Sequence, residues 1–376
     1  MKVKILLKVL FLLGFAAAVT QGCVGDGTVT PTPPAGDPVV ISYIEMFTQT
    51  EGWGIGGEQA PLNHVLQTMD GGKSWSDVTP PEPAPIPGWP EKEAVAFFLD
   101  IDTAWVTYAP VDGSFPEDTV IWYTTDGGAS WAASLPLKVR GDYYEPLFLL
   151  FADGDTGWFM VDVGAGMSHQ YTEGFKTESG GVTWEKIIDP TDSVYLQTCC
   201  KTGLAFADEE TGLVTTEPGP YVEAYVEWTY DGGLTWEHEV LPLPTTGDYC
   251  TGHSPRFFSP QSVVLALDCR NFNLDATESY LYKTTNGGTD WQIYDYPGGE
   301  LVFLDEDVGF ALSREIHKTT DGGQTWTYVK TVCWDGQFSF IDADEGWAVG
   351  RCDDAIGLYH TDNGGESWDE ILPVIQ

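Results

Sequence analysis

The sequence predicts an all-β chain, a seven-bladed β-propeller with four-stranded antiparallel blades. Three observations predict it. One string of the form Thr-x-Asp/Asn/Ser-Gly-Gly-x-Ser/Thr/Asp-Trp recurs seven times. Short apolar runs alternate with Gly- and Asp-rich turns, and no stretch has the spacing of an amphipathic helix. The recurrence distance is roughly 49 residues, the length of one four-stranded blade.

Ahead of the repeats, Lys2, Lys4 and Lys8 precede an apolar run from Val9 to Val19 and then Thr20-Gln21-Gly22-Cys23. A basic start followed by a short apolar run is an export signal, so residues 1–22 are expected to be a signal peptide. The run is about half of the ~20 residues that a spanning helix needs. The residues before Cys23 resemble the lipobox of bacterial lipoproteins. That resemblance implies that Cys23 is lipidated and holds the chain at a bacterial cell envelope. Thr20 and Gln21 depart from the lipobox pattern, and the alternative is plain cleavage after Ala16-Ala17-Ala18, giving a secreted or periplasmic protein. Residues 23–37, rich in Pro, Gly and Thr, read as a tether with too little apolar content to fold. Residues 38–376 carry the propeller.

The chain holds 57 Asp and Glu against 17 Lys and Arg, a formal charge of −40. Such a surface repels nucleic acid and anionic lipid, which excludes nucleic-acid partners and leaves membrane contact to the lipidated N-terminus alone. Charge of this kind keeps an exported protein soluble; a specific cationic partner is the sharper reading of the same excess.

The recurring strings run from Thr68 to Trp75, Thr124 to Trp131, Thr177 to Trp184, Thr229 to Trp236, Thr284 to Trp291, Thr319 to Trp326 and Thr361 to Trp368. Each reads as a tight hairpin in which an acidic side chain accepts turn N–H bonds and paired glycines supply positive φ. The Trp that follows is large enough to pack between neighbouring blades. The string is the Asp-box, or BNR repeat, and residues 38–376 resemble that superfamily. Upstream of each box lies an apolar strand, an acidic turn and a Gly or Ala with a large apolar residue, as in Phe151-Ala152-Asp153 before Gly157-Trp158. These are strands a and b, with the box joining c to d. The first strand a is expected over Val39–Phe47 and the last strand d over Ser367–Pro373, so that ring closure rests on packing alone.

The boxes read as structure. Their acidic position is Asp70, Asp126, Asp231 and Asp321 in four copies but Ser179, Asn286 and Asn363 in the others. An oxygen acceptor is kept while the charge is not, which suits a turn cap and not a general acid or a metal ligand. Acidic a–b turns such as Asp153-Gly154-Asp155 lack the rest of a calcium ligand set. No cofactor and no metal site is expected.

In a propeller the a–b and c–d turns share one face, and the b–c and d–a connections the other. The long connections are on the second face, where a rigid scaffold presents ligand-binding loops. They carry Trp89, Arg140, Tyr143, Tyr144, Tyr221, Arg256, Arg270, Phe272, Trp334 and Arg351, the candidate ligand-binding residues. Four of the five arginines, Arg140, Arg256, Arg270 and Arg351, map on or near this face. An aromatic and guanidinium-lined patch would hold a glycan or protein segment; the bland alternative is that each Arg pairs with a nearby carboxylate. Antiparallel pairing in the fifth and seventh blades predicts disulfides Cys250–Cys269 and Cys333–Cys352. Cys199 and Cys200 are open to a vicinal bridge, a cross-blade bridge or free thiols.

The strings Gly52-Trp53-Gly54-Ile55 and Gly346-Trp347-Ala348-Val349, with the boxes, are similar to the photosystem II stability and assembly factor-like propellers, many of them exported bacterial proteins. That resemblance implies a non-catalytic binding or assembly module; a monomer with a protein or glycan ligand at the loop-rich face and no catalytic residues is expected. Its photosynthetic members look to use an arginine-rich patch, from which this arginine-poor chain departs. The alternative is a glycoside hydrolase of the Asp-box type, polysaccharide-cleaving rather than sialidase, because the Phe/Tyr-Arg-Ile-Pro string of sialidases is missing before the first blade.

Overall fold

The computed structural model describes residues 36–58, 62–81, 92–110, 119–141, 143–166, 169–191, 196, 200–217, 223–244, 249–272, 275–352 and 355–376. The signal peptide, nearly all of the tether, Cys23, Trp89, Cys199 and Tyr221 lie outside the described residues. Seven antiparallel sheets follow one another along the chain and stand as the blades of a propeller, with strand order a-b-c-d from the axis outward. Inner strands are Val40–Met46, Lys92–Phe98, Glu145–Phe151, Lys201–Phe206, Glu300–Phe303 and Asp335–Phe340. In the fifth blade the inner strand is split into Tyr249–Gly252 and Arg256–Ser259, both paired with Ser262–Asn271.

The second strand of each blade explains why the ring forms. Gly52–Gly57, Gly212–Thr216 and Gly309–Leu312 are buried along their whole length, on both faces. A strand buried on both faces needs a neighbour on each side, which only a ring of blades supplies. Strand b aromatics also tie one blade to the next. The indole N–H of Trp105 donates to Gly180 O at 2.9 Å, that of Trp158 to Gly232 O at 2.8 Å and that of Trp347 to Gly71 O at 3.0 Å, each acceptor lying in the following blade's box.

The ring closes through a shared sheet, which corrects the expectation of closure by packing alone. After the last strand d (Asp369–Ile371), Val374–Ile375 runs parallel to Ser74–Asp77, the outer strand of the first blade. Asp37–Pro38 pairs with the far side of that segment. The expectation failed because two residues of strand carry no periodic pattern. At the axis the seventh and first blades are joined as well: Ser339 Oγ accepts Met46 N–H, and Gln337 bonds Ile44.

Candidate functional site

The seven boxes are built alike. Asp70 Oδ1 accepts the N–H of Ser74 at 2.8 Å and Asp70 Oδ2 accepts its hydroxyl at 2.7 Å. Asp126, Asp231 and Asp321 bind Ser130, Thr235 and Thr325 in the same way. Where the charge is missing the bond survives: Ser179 Oγ accepts Thr183 N–H, Asn286 Oδ1 accepts Asp290 N–H and Asn363 Oδ1 accepts Ser367 N–H, all near 3.0 Å. The following Gly71 and Gly72 have φ of +77° and +88°, the left-handed region that glycine adopts at no steric cost. Gly71 N–H then donates to Thr50 O of the a–b turn, and the same bond recurs in every blade, through Gly127, Gly180, Gly232, Gly287, Gly322 and Gly364. The two turn sets therefore share one face. In the a–b turns Asp100, Asp153, Asp208, Asp305 and Asp342 each spend Oδ1 on two backbone N–H groups, which is turn chemistry.

On the opposite face the candidate residues divide. Arg270, 54 % exposed, ion-pairs with Asp275 at 3.0 Å and lies over the Phe272 ring at 5.8 Å. Phe272 is exposed, and its ring stands 6.4 Å from that of Tyr249, which is directly opposite Arg270 across the strand pair and bonds Glu217. The adjoining pair in register is Cys250 and Cys269, which form a disulfide. Arg140 is exposed, with its N–H on Glu173 Oε2, and the half-exposed Tyr143 donates its hydroxyl to Glu145 at 2.5 Å. Arg351 is exposed at the end of its strand, opposite Asp335.

Three candidates are corrected. Tyr144 is 1 % exposed, packed with Ile121, Leu137 and Val163, and burial pushes its hydroxyl up to about 12. Trp334 is 3 % exposed: its ring stacks on Tyr359 at 4.8 Å and lies against Gly350, where an added Cβ would come within 2.6 Å of it. Both are core residues and belong to no ligand surface. Arg256 is exposed but is opposite Val264, close to the a–b turn at Ser259–Ser262, and so lies toward the box face, at the axis. Arg314, which the sequence reading left out, takes its place on the connection face and pairs with Asp335 at 3.0 Å.

The predicted Cys333–Cys352 bridge is also corrected. Cys333 is disulfide-bonded, but Cys352 is a thiol, and Cys200 is disulfide-bonded too. The reason is register. Cys250 and Cys269 are direct partners, whereas pairing of Asp335 with Arg351 leaves Cys333 and Cys352 one step out of line, and a one-residue offset turns side chains to opposite faces.

Sequence reasoning missed a polar group at the axis. Tyr43 and Glu45 stand on the inner strand of the first blade, with Tyr43 OH donating to Glu45 Oε2 at 3.0 Å. Glu300 begins the inner strand of the sixth blade and is exposed to water, yet burial pushes its carboxyl up to about 7; a bond from Phe338 N–H opposes that rise and the charge of Glu45 adds to it. Glu45 is raised by burial, against the Tyr43 bond and the charge of Arg256. Tyr43 is 36 % exposed, and burial followed by Glu45 raises its phenol well above the usual range. Groups that water reaches but that protein surrounds are what a narrow channel produces. The signal was present in the repeat: counted back from the residue pairing with the start of strand b, Tyr43, Glu300 and Gln337 occupy one position where other blades carry Val95 and Gly203. Among the described residues no three His, Cys, Asp or Glu side chains are grouped to hold a metal.

A second polar group is buried between the third and fourth blades. Lys201 Nζ donates to Gln170 O at 3.2 Å, and Gln170 Nε2 donates to Asp162 Oδ2 at 2.9 Å. Burial lowers the Lys201 ammonium to about 8, against the charges of Asp162 and Glu227.

No family model matches the chain, and no curated protein does. Solved structures do. The structure described as YCF48 bound to D1 peptide superposes with a TM-score of 0.56 at 16 % identity, over 89 % of this chain and 96 % of that one. A PL25 ulvan lyase, a polysaccharide lyase, superposes at 0.48 and 12 % identity over 73 % of this chain and 81 % of that one. The GH93 α-L-arabinofuranosidase of Fusarium graminearum, solved with arabinobiose, gives 0.42 at 16 % identity over 79 % and 94 %. At 16 % identity the likeness to the first of these is one of fold alone.

Proposed function

We propose that this propeller is an exported module, lipid-anchored through Cys23 at a bacterial cell envelope, that binds a protein or glycan segment on the face of the b–c and d–a connections and does not turn it over. The observation that carries the reading is the platform in the fifth blade. Arg270 lies over Phe272 beside Tyr249, held by a disulfide one residue away. A guanidinium on an aromatic ring presents a flat, partly apolar surface with N–H donors at its rim, suited to a sugar face or a peptide. The ordering cost is met in advance, because the strand pair beneath is cross-linked. Arg314 on the sixth blade and Arg351 on the seventh flank Asp335 on the same face, which extends the surface around the ring.

The test is a binding screen of the mature protein on peptide and envelope-glycan arrays, together with turnover assays on polysaccharides. Saturable binding that Arg270→Ala with Phe272→Ala abolishes, without product release, supports the module. Polysaccharide cleavage lost in Glu300→Gln would replace it with the hydrolase reading. Metabolic labelling with a palmitate analogue, absent in Cys23→Ala, tests the anchor.

A further inference from the structure

Three inner strands carry charge to the axis at two levels. Glu45 pairs with Trp53 and Arg256 with Val264, each one residue past the strand b residue that stands opposite the box threonine, Gly52 opposite Thr68 and Val263 opposite Thr284, so the two stand at one height on the first and fifth blades. Tyr43 and Glu300 share the next height, on the first and sixth blades. Arg270 and Arg314 have carboxylate partners, but among the described residues Arg256 makes no hydrogen bond and no ion pair, although Glu45 feels its charge. A solvent-exposed guanidinium left unpaired in a chain of formal charge −40 stands on the fifth blade, with Glu300 on the adjoining sixth blade and Glu45 further round the ring on the first, and neither carboxylate pairs with it. An ion pair that protein geometry holds apart is completed by a molecule carrying both charges.

We propose that the central channel is a site for a small zwitterion, an amino acid or amino-acid-like molecule, whose carboxylate is taken by Arg256 and whose ammonium is taken by Glu45 and Glu300 with the Tyr43 hydroxyl beside them. The site is separate from the connection face and does not depend on its ligand. A simple cation leaves Arg256 opposed to it, and a simple anion faces two carboxylates, so only a ligand of both signs is matched by every group. Burial raises both carboxyls above their usual range, and a bound ammonium would bring them back down.

Calorimetric titration of the mature protein with glycine, β-alanine, γ-aminobutyrate and ε-aminocaproate reads the spacing of the two subsites, with butylamine and butyrate as single-charge controls. One amino acid of the series is expected to bind at least about tenfold more tightly than either control. Arg256→Gln is expected to reduce its affinity to that of the amine, and Glu45→Gln to weaken amino acid and amine together. Arg256 is exposed and unbonded, so its variant keeps the fold, which thermal melting checks. The proposal is overturned if no member of the series exceeds the controls, or if Arg256→Gln leaves the affinity unchanged.

Discussion

The side-chain amide of Gln337 grips the backbone of Ile44 at both ends, Nε2 donating to Ile44 O and Oε1 accepting Ile44 N–H, each at 2.9 Å. The inner strand of a blade has one unpaired edge, and here the preceding blade supplies the missing partner. Glu300 holds the same position one blade earlier and accepts Phe338 N–H, but an ionised carboxylate has no donor to offer the carbonyl. Glu300→Gln should therefore copy the Gln337 clasp. A carboxyl raised in the folded state contributes stability that is complete below its unfolded value near 4.5 and is lost as pH rises through about 7. The variant should melt higher than the parent at pH ~8 by the equivalent of roughly 1 kcal/mol, discounted for solvent access, and equal it at pH ~4. Melting curves at the two pH values check this; a variant less stable at the higher pH would contradict it.

The boxes make a prediction by comparison with one another. Asn286 and Asn363 cap their turns as Asp70 does. Asp70→Asn should be within about 0.5 kcal/mol of the parent at neutral pH, whereas Asp70→Ala should cost about 1–2 kcal/mol by stranding the Ser74 donors. Hydrogen bonds from Ser74 and Thr68 outweigh burial and lower the Asp70 carboxyl, so its contribution is present at neutral pH and lost as pH falls through that lowered value. The Asn variant should lack that acid-side loss, which urea melts between pH ~2 and ~7 measure.

Ring closure depends on very few residues. Val374 N–H donates to Lys73 O and Gln376 N–H to Trp75 O, and the Val374 side chain is buried. Deleting residues 374–376 should cost about 3 kcal/mol, two backbone bonds and one buried Val. Hydrogen exchange should then rise in Val40–Met46 and Asp335–Phe340 before any other inner strand. Trp347→Ala, which opens the same seam from inside, should cost about 3–5 kcal/mol.

The cysteines separate by mass spectrometry. Non-reducing peptide mapping should find Cys250 linked to Cys269, no link between Cys333 and Cys352, and alkylation of Cys352 in denaturant without reduction. Replacing Cys250 and Cys269 by Ala should cost about 3 kcal/mol, the loop-closure entropy of their separation.

The blade number, the strand order within a blade and the oxygen-acceptor role of the box were legible because each is written seven times, and a repeat averages out local irregularity. What was not legible was written once. Val374–Ile375 is too short for a period, so the closing strand passed unseen. Trp334 looked like loop because it precedes its strand, and only the space above Gly350 draws it inward. Cys333 and Cys352 looked like Cys250 and Cys269 because sequence spacing does not record register, and one residue of offset decides the face. Arg256 was misplaced because the break at His253–Pro255 divides its strand and shifts the count. The channel group escaped because its members are spread over the first, fifth and sixth blades, each unremarkable alone.

The pairing of Asp37–Pro38 with Val374–Ile375 brings the first and last described strands to a single point on the rim, outside the first blade. On the anchor proposed at Cys23, a disc leashed at that point would hang by its edge, like a coin on a thread through its margin. Neither flat side would be pressed against the bilayer, and a partner arriving from solution would meet the connection side and the axial opening equally unobstructed.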